Sequence, residues 1–542
     1  MTAVGTSTSV RASTIELLRH RGMTTIFGNP GSTELGLLVE LPDDFRYVMA
    51  LHESVAVAMA DGYAQTTGRP AFLNLHSACG VGNAMGAVVN AFHNRAPLVI
   101  TGGNQDRRHL ALEPFLFARG VELMAPYVKH AEQPARAEDV PAAIDRAWAL
   151  AQTRPYGPVF VSVPADDWDG AGPGGPQSSP GGKVRAGTGP AGSDVDELAH
   201  WLTRGPLALV VGAGADRDGA WTELIALAER LGAAVWAAPQ SPRLGFPEDH
   251  PLYRGHLAPG YGSAAAQLSG FEVALVVGAP VFAFLPYEPS EEAMPAIVQI
   301  TDDADEAARA PSALSLIGDV RGIISALLER IDVAGGAREG PAVGAMREAP
   351  PKPSAASPIS AAFLMATLAE VLPDDAILVE ESPSNRHELR RHIRIRRPGS
   401  FFACASGGLG FAMPAAVGIK LARPERPVVC LVGDGSALYA QQAIWSAVQL
   451  RTPVSFIVVN NARYAILESV AAFGGLEGVP SLELPGVDFL AAAASYGCAA
   501  VRIDAPAELR TTLERALEDP RPVLIDVRID RAVPPLLPAS EV

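Results

Sequence analysis

At 542 residues the chain exceeds what one hydrophobic core serves, so it divides into domains, with three as the natural count. Apolar residues make up 48% and charged residues 19% of it, a balance that excludes a disordered chain and suits fully buried parallel strands. The 43 basic and 59 acidic residues leave a formal net charge of −16, which on average repels a nucleic-acid backbone or an anionic membrane surface.

The N-terminus, MTAVGTSTSVRAST, has no apolar core, and no later stretch offers about 18 uncharged apolar residues. Cys79, Cys404, Cys430 and Cys498 are scattered singly, with no CxxC pair and no histidine cluster at zinc spacing. A soluble, unexported, cytoplasmic protein is the expectation. In the first block short β-rich runs stand at Ala71–Leu75 (AFLNL) and Val159–Val163 (VFVSV). Two segments rich in Gly, Pro, Ala and Ser, 170–193 and 334–357, read as linkers because such composition buries no core. They give an N-terminal domain over 1–180, a middle domain over 194–335 and a C-terminal domain over 358–542. The middle block carries LALVV at 207–211, ALVV at 274–277 and IVQI at 297–300; the last carries runs at 377–379, 428–432 (VVCLV), 454–459 (VSFIVV) and 523–529 (VLIDVRI). Uninterrupted β-rich runs separated by helical stretches predict three α/β domains with doubly wound parallel sheets. Ligands of such sheets sit off the carboxyl ends of strands.

Just past VVCLV stands Gly433-Asp434-Gly435-Ser436, followed by a predicted helix over Ala437–Leu450. Glycines between strand and helix let backbone amides approach an anion, which suits a diphosphate. Asp434 adds a hard carboxylate oxygen, and Asn460-Asn461 ends the next run, 27 positions from Asp434 to Asn461. Mg²⁺ prefers such oxygens together with phosphates. Either motif alone is as well read as a tight turn or a strand-end cap; the pair is specific.

GDGS followed by NN resembles the signature of the thiamine-diphosphate enzymes. The resemblance implies that Asp434 and Asn461 bind Mg²⁺ by side chain and Arg463 by its backbone carbonyl, its guanidinium directed away. Gly433, Gly435, Ser436, Ser384, Tyr464 and Ile466 are then the expected cofactor contacts. The run Tyr47–Leu51 leads into His52-Glu53-Ser54 and a predicted helix over Val55–Ala64. This resembles the segment bearing the family's activating carboxylate, so Glu53 is expected on the aminopyrimidine ring; read alone, it is a glutamate favoured by a helix N-terminus. FGNPGS at 27–32 and HSACG at 76–80 resemble the benzoylformate decarboxylase branch. They imply that Ser32 binds the substrate carboxylate or ketone oxygen and that His76 is an acid or base, whereas a histidine at a strand end is otherwise a structural hydrogen-bonding residue. The likeness extends through LAERLGAAVWAAPQSPRLGFPEDHP, VVGAPVF and ASGGLGFAMPAAVG. Within the last, Gly407 is expected to accept from the cofactor's amino group and Leu409 to support its bent conformation. The family places its cofactor between two subunits, which implies a homodimer at minimum and a homotetramer by likeness.

Leu285 stands where the branch resembled here carries a second active-site histidine. Pro383, Ala403, Ile466 and Val470 replace more polar or aromatic pocket walls, with Phe115 and Leu116 at the mouth, so an aryl substrate is not favoured. The reaction implied is thiamine-diphosphate-dependent decarboxylation of a 2-oxo acid through ylid attack and an enamine. A carboligase resembling acetolactate synthase, which joins that enamine to a second carbonyl, is the alternative that Leu285 supports. A catalytically idle, cofactor-binding paralogue is the third reading, and Glu53 counts against it. Gly212-Ala213-Gly214 is too short a motif for a dinucleotide site, and FAD is not expected. The basic run Arg386–Arg397 (RHELRRHIRIRR) reads as a solvated or interface helix, a bland surface and not a nucleic-acid site.

Overall fold

The computed structural model describes residues 8–173, 190–282, 285–286, 288, 290–331, 350–351 and 353–537. Among them are three six-stranded sheets, and every pairing within them is parallel. The first consists of β1 (Thr25–Gly28), β2 (Arg46–Met49), β3 (Ala71–Leu75), β4 (Leu98–Asn104), β5 (Ala131–Glu132) and β6 (Val159–Pro164). The second holds β7 (Leu207–Val211), β8 (Ala234–Ala237), β9 (Tyr253–His256), β10 (Val273–Val277), β11 (Ala296–Thr301) and β12 (Leu314–Ile317). The third holds β13 (Ile377–Glu381), β14 (Phe401–Ala403), β15 (Val428–Gly433), β16 (Ser455–Asn460), β17 (Ala499–Ile503) and β18 (Val523–Arg528). Every β-rich run singled out in the sequence is a strand, because β-branched Val and Ile crowd a helix but, together with Leu, fill a pleated surface buried on both faces.

The first and third sheets share one strand order, β2-β1-β3-β4-β6-β5 and β14-β13-β15-β16-β18-β17. The middle sheet runs β12-β11-β10-β7-β8-β9, the order of a doubly wound dinucleotide sheet. In the outer two the chain reverses direction between β1 and β3, and between β13 and β15. Adjacent strand ends diverge there and leave a crevice.

Alternating residues of the third sheet serve two cores. Ile377, Val379, Cys430, Val432 and Phe456 join a buried cluster that continues into the first domain, while Leu378, Val429, Leu431 and Ile457 join one that includes the middle domain. The first cluster is closed by the helix Glu53–Thr67 lying on the helix Ala412–Ala422. A Cβ on Gly418 would stand 1.9 Å from the carbonyl oxygen of Met59, and one on Gly62 would stand 2.4 Å from that of Ala415. Only hydrogen fits between these backbones.

Three local expectations are corrected. The helix expected over Ala437–Leu450 begins at Asp434 and is broken into Asp434–Ala440 and Ala443–Gln449, and the one expected over Val55–Ala64 spans Glu53–Thr67. The basic run is helical only over Arg386–His392, and of the two readings, solvated or interface, it is an interface and not a bland surface. Arg386 pairs with Glu380 and donates to Gln240, and buried Ile395 accepts from the backbone amide of Glu248 of the middle domain and donates its own amide to the Glu248 carboxylate. Burial lowers Arg390 to about 10. Local composition could not show that Gln240 and Glu248 arrive from the middle domain. Of the expected linkers, 174–189 and 334–349 lie outside the described residues; residues 192–193 belong to a helix, Gly192–Leu202.

Candidate active site

The crevice of the first sheet opens where β1 and β3 end. Past β1, Ser32 is exposed while Thr33 and Glu34 turn inward and are buried. Glu34 Oε2 accepts from the Gly31 amide at 3.0 Å and lies 3.0 Å from His76 Nδ1, which follows β3. Thr33 Oγ1 donates to Glu34 and lies 3.3 Å from the same ring nitrogen. Burial raises the Glu34 carboxyl above the ordinary range, opposed by its bonds to Thr33, His76 and Gly31. Gly31 allows the loop to lie on the imidazole, since a Cβ there would stand 2.1 Å from Nδ1.

Glu53 reaches the same crevice from the start of its helix, beyond β2. Glu53 is buried, and its Oε2 accepts from Asn83 Nδ2 at 3.1 Å. The helix is capped by His52, whose Nδ1 accepts from the Ser54 amide, so Glu53 is not needed as the cap. A Cβ on Gly80 would lie 2.8 Å from His76 Cβ and 2.9 Å from Glu53 Oε1. His76 and Glu53 therefore flank one point of the crevice.

In the third sheet Asp434 follows β15 and is buried. Its Oδ1 accepts from the Gly435 amide at 2.8 Å, and its Oδ2 is buried with no partner. Burial raises its carboxyl, opposed by the amides of Gly435, Ala462, Arg463 and Asn461. Past β16, Asn461 Oδ1 accepts from the Arg463 amide at 3.1 Å, and Asn460 is tied to Asp526 at 2.7 Å. The Arg463 guanidinium pairs with Glu468 at 3.0 Å and Glu483 at 2.8 Å. Gly435 faces Tyr464, whose ring would meet a Cβ there at 2.3 Å. A cavity of about 160 Å³ opens beside Asp434, Asn460, Ala462 and Arg502.

The unpartnered carboxylate oxygen, the neighbouring amide oxygen and the cluster of backbone amides fit a hard cation with an anionic ligand. Among the described residues no group of three or more His, Cys, Asp or Glu could hold a metal by itself. A cation here would thus rely on amide, carbonyl and phosphate oxygens beside one carboxylate, as Mg²⁺ does.

At the end of β13, Glu381 accepts from the amides of Gly410, Phe411 and Ala412 at 2.7, 2.8 and 2.6 Å, and burial raises it to about 7. It anchors the loop bearing Gly407, whose φ is +73°, and Leu409. The same loop is tied to the first domain through Ala405 to Asn94 and Ser406 to Asn90. Ser384, Pro383 and Ile466 are half-buried, and Val470 is 44% exposed. Ala403 is set apart from these, buried in the core shared with the middle domain. Phe115 is 89% and Leu285 71% exposed, and Leu116 has φ +65°. The Leu285 amide donates to the Pro259 carbonyl.

The candidate residues thus form two groups, around Glu53 and His76 and around Asp434 and Asn461, and no hydrogen bond found among the described residues joins them. Glu34, Asn83 and Glu381 were not singled out in the sequence. An acidic residue three positions past a glycine, or a Glu-Glu pair ending a run, carries no local signal of this kind. In the middle sheet the crevice past β7 and β10 is packed by protein: the Gly214 amide donates to the Gly278 carbonyl at 2.8 Å, and a Cβ on Gly212 would lie 2.5 Å from Ala279 Cβ.

Comparison with known proteins agrees with this geometry. Residues 8–133 match the N-terminal TPP binding domain of thiamine pyrophosphate enzymes, 204–327 their central domain and 384–527 their C-terminal TPP binding domain. A benzoylformate decarboxylase of Pseudomonas aeruginosa is 41% identical over 529 residues, covering 96% of this chain and 98% of that protein. The solved thiamine diphosphate-dependent 4-hydroxybenzoylformate decarboxylase of Rhodococcus jostii superposes with a TM-score of 0.93 at 38% identity, covering 97% of this chain and all of that one. The benzoylformate decarboxylase of Polynucleobacter necessarius also gives 0.93 at 38% identity, covering 97% of this chain and 99% of that one. Likeness over the whole length, with the two crevices where the family's N- and C-terminal TPP binding domains match, establishes that the chain belongs to the thiamine pyrophosphate enzymes, in the group that includes benzoylformate decarboxylase.

Proposed function

We propose that the protein is a thiamine-diphosphate- and Mg²⁺-dependent decarboxylase of a 2-oxo acid. The observation that carries this reading is the meeting of Glu53 and His76 around Gly80 in the crevice of the first sheet, in a chain 41% identical to a benzoylformate decarboxylase. When bound, thiamine diphosphate supplies the acceptor for the electron pair left as CO₂ departs. Asp434 Oδ2, the Asn461 side chain and the Arg463 carbonyl hold Mg²⁺, and Gly433, Gly435, Ser436, Ser384 and Tyr464 line the diphosphate. Ile466 borders cofactor and substrate. The Gly407 carbonyl and Leu409 orient the aminopyrimidine, and Glu53 Oε1, left open by the Asn83 bond to Oε2, hydrogen-bonds its ring nitrogen. Ser32 orients the substrate carboxylate or ketone oxygen, while His76 moves the proton through Nε2, because its Nδ1 faces Glu34.

The pairing of the two residue groups across subunits requires a homodimer at least, and the likeness supports a homotetramer. Single-chain exposure supports this: Leu112, Phe115, Tyr439, Phe473 and Leu476 present exposed apolar surface. No helix among the described residues is long and apolar enough to cross a membrane, and we place the protein in the cytoplasm. The domain boundaries are those of the two Gly- and Pro-rich segments. Aliphatic walls at Pro383, Ile466 and Val470 favour an aliphatic substrate, since an aromatic wall would add about 0.5–1.5 kcal/mol for a ring. Leu285 supports a second reading, ligation to another carbonyl, because it offers no proton for aldehyde release.

The test is CO₂ release from aliphatic and aryl 2-oxo acids by purified protein with Mg²⁺ and thiamine diphosphate, aldehyde being measured alongside. Matching CO₂ and aldehyde are expected. CO₂ without matching aldehyde favours ligation, and no CO₂ from any acid overturns the decarboxylase.

A further inference from the structure

Resting on the decarboxylase reading, we infer that Glu34 is a positioning residue of the reaction, one that fixes the tautomer and orientation of His76. The sequence likeness singled out Ser32 and His76, whereas the structure puts the buried residue two positions past Ser32 against the imidazole. The Glu34 carboxyl is 1% exposed at its side chain, and the His76 ring is 20% exposed. Glu34 Oε2 lies 3.0 Å from Nδ1. Its other oxygen is held by Thr33 Oγ1 and its first by the Gly31 amide, so the carboxyl cannot turn away. Tyr47 is the other titratable group facing it, its hydroxyl buried and unpartnered.

Three donors converge on one carboxyl: the Gly31 amide, the Thr33 hydroxyl and an Nδ1–H. A carboxylate accepts all three, and none of its bonds calls for an acceptor at Nδ1. The imidazole proton therefore resides on Nδ1, and Nε2 carries the lone pair that takes a proton and later returns it. A carboxylate facing one ring nitrogen so that the other does acid–base work is a general arrangement, and loss of the right tautomer through an isosteric amide is costly. It matters more here because Leu285 leaves His76 without a second imidazole.

Glu34→Ala removes the acceptor that faces Nδ1, which releases the ring proton to Nε2, whereas Glu34→Gln keeps an oxygen on the Gly31 amide and Nδ1 and loses the negative charge. The experiment records histidine ¹⁵N shifts of the ¹⁵N-histidine-labelled holoenzyme with thiamine diphosphate and Mg²⁺, the His76 signals being assigned from His76→Gln. It also measures kcat, KM and thiamine diphosphate affinity for Glu34→Gln and Glu34→Asp. Expected are an Nδ1–H, Nε2-bare ring in the wild type and a ring protonated at Nε2 in Glu34→Ala. Turnover of Glu34→Gln falls about 10²- to 10⁴-fold with cofactor affinity unchanged, and Glu34→Asp recovers part of it. A protonated Nε2 in the wild type, an unchanged tautomer in Glu34→Ala, or unchanged turnover in Glu34→Gln overturns the inference. Should Glu34→Gln fail to fold, the wild-type tautomer and Glu34→Asp decide it. A wild type that releases no CO₂ removes the decarboxylase reading, and the ¹⁵N shifts still judge Glu34.

Discussion

Glu53 shows how a residue's surroundings separate two roles that its sequence leaves together. At a helix start a glutamate satisfies orphan amides, but here His52 performs that task and Asn83 holds one carboxylate oxygen, so the other is left for chemistry. Glu53→Gln should therefore retain Mg²⁺ and thiamine diphosphate, measured by calorimetric titration, while turnover falls about 10²- to 10⁴-fold. Retained turnover would withdraw Glu53 from its role. Leu285→His should raise aldehyde relative to ligation product, read by chromatography with an acceptor aldehyde present. An unchanged ratio would remove Leu285 from the account of partitioning. Both residues were legible from motif likeness, whereas Glu34 was not, because its meaning lies in a partner 42 positions away.

Among the elements, the crossing of helices Glu53–Thr67 and Ala412–Ala422 ties the first crevice to the third sheet. Gly418→Ala should lower the melting temperature by about 3–10 °C, the effect of about 1–3 kcal/mol of overpacking, because the obstruction is Met59 backbone and not a movable side chain. Asp61 on the first of these helices is buried, accepts from Gln65 and Asn94, and is raised by burial to about 7. A carboxyl whose folded value lies above its ordinary 3.8 stabilises fully below that value, and the contribution is lost as pH rises through about 7. The melting temperature of the wild type should therefore fall relative to Asp61→Asn between pH 5 and pH 8; parallel curves would show that Asp61 does not titrate there. The strands of this architecture were legible, since a run of Val, Ile and Leu declares itself locally. The docking of the basic run on Gln240 and Glu248 was not, because those partners come from the middle domain.

For the whole molecule, a ligand bound only by the folded state raises stability by about 2.7 kcal/mol at a hundredfold excess over its dissociation constant. Mg²⁺ with thiamine diphosphate should raise the melting temperature, and EDTA should reverse the gain. No shift would contradict the site around Asp434. If each site is completed by a second subunit, dilution should lower specific activity in step with loss of the dimer by analytical ultracentrifugation; a fully active monomer would refute the shared site. The sequence by itself determined the class of fold, the two crevice motifs and the family resemblance, because glycines, hard oxygen ligands and apolar runs act through near neighbours in the chain. Only the tertiary structure decided that the first and third sheets share a strand order, that His76 answers to Glu34, that Glu381 anchors the Gly407 loop, and that the middle-domain glycines are used in packing. Each of these is a contact between segments far apart in the chain, whose closeness is fixed by burial of the three sheets and by nothing that either segment states alone.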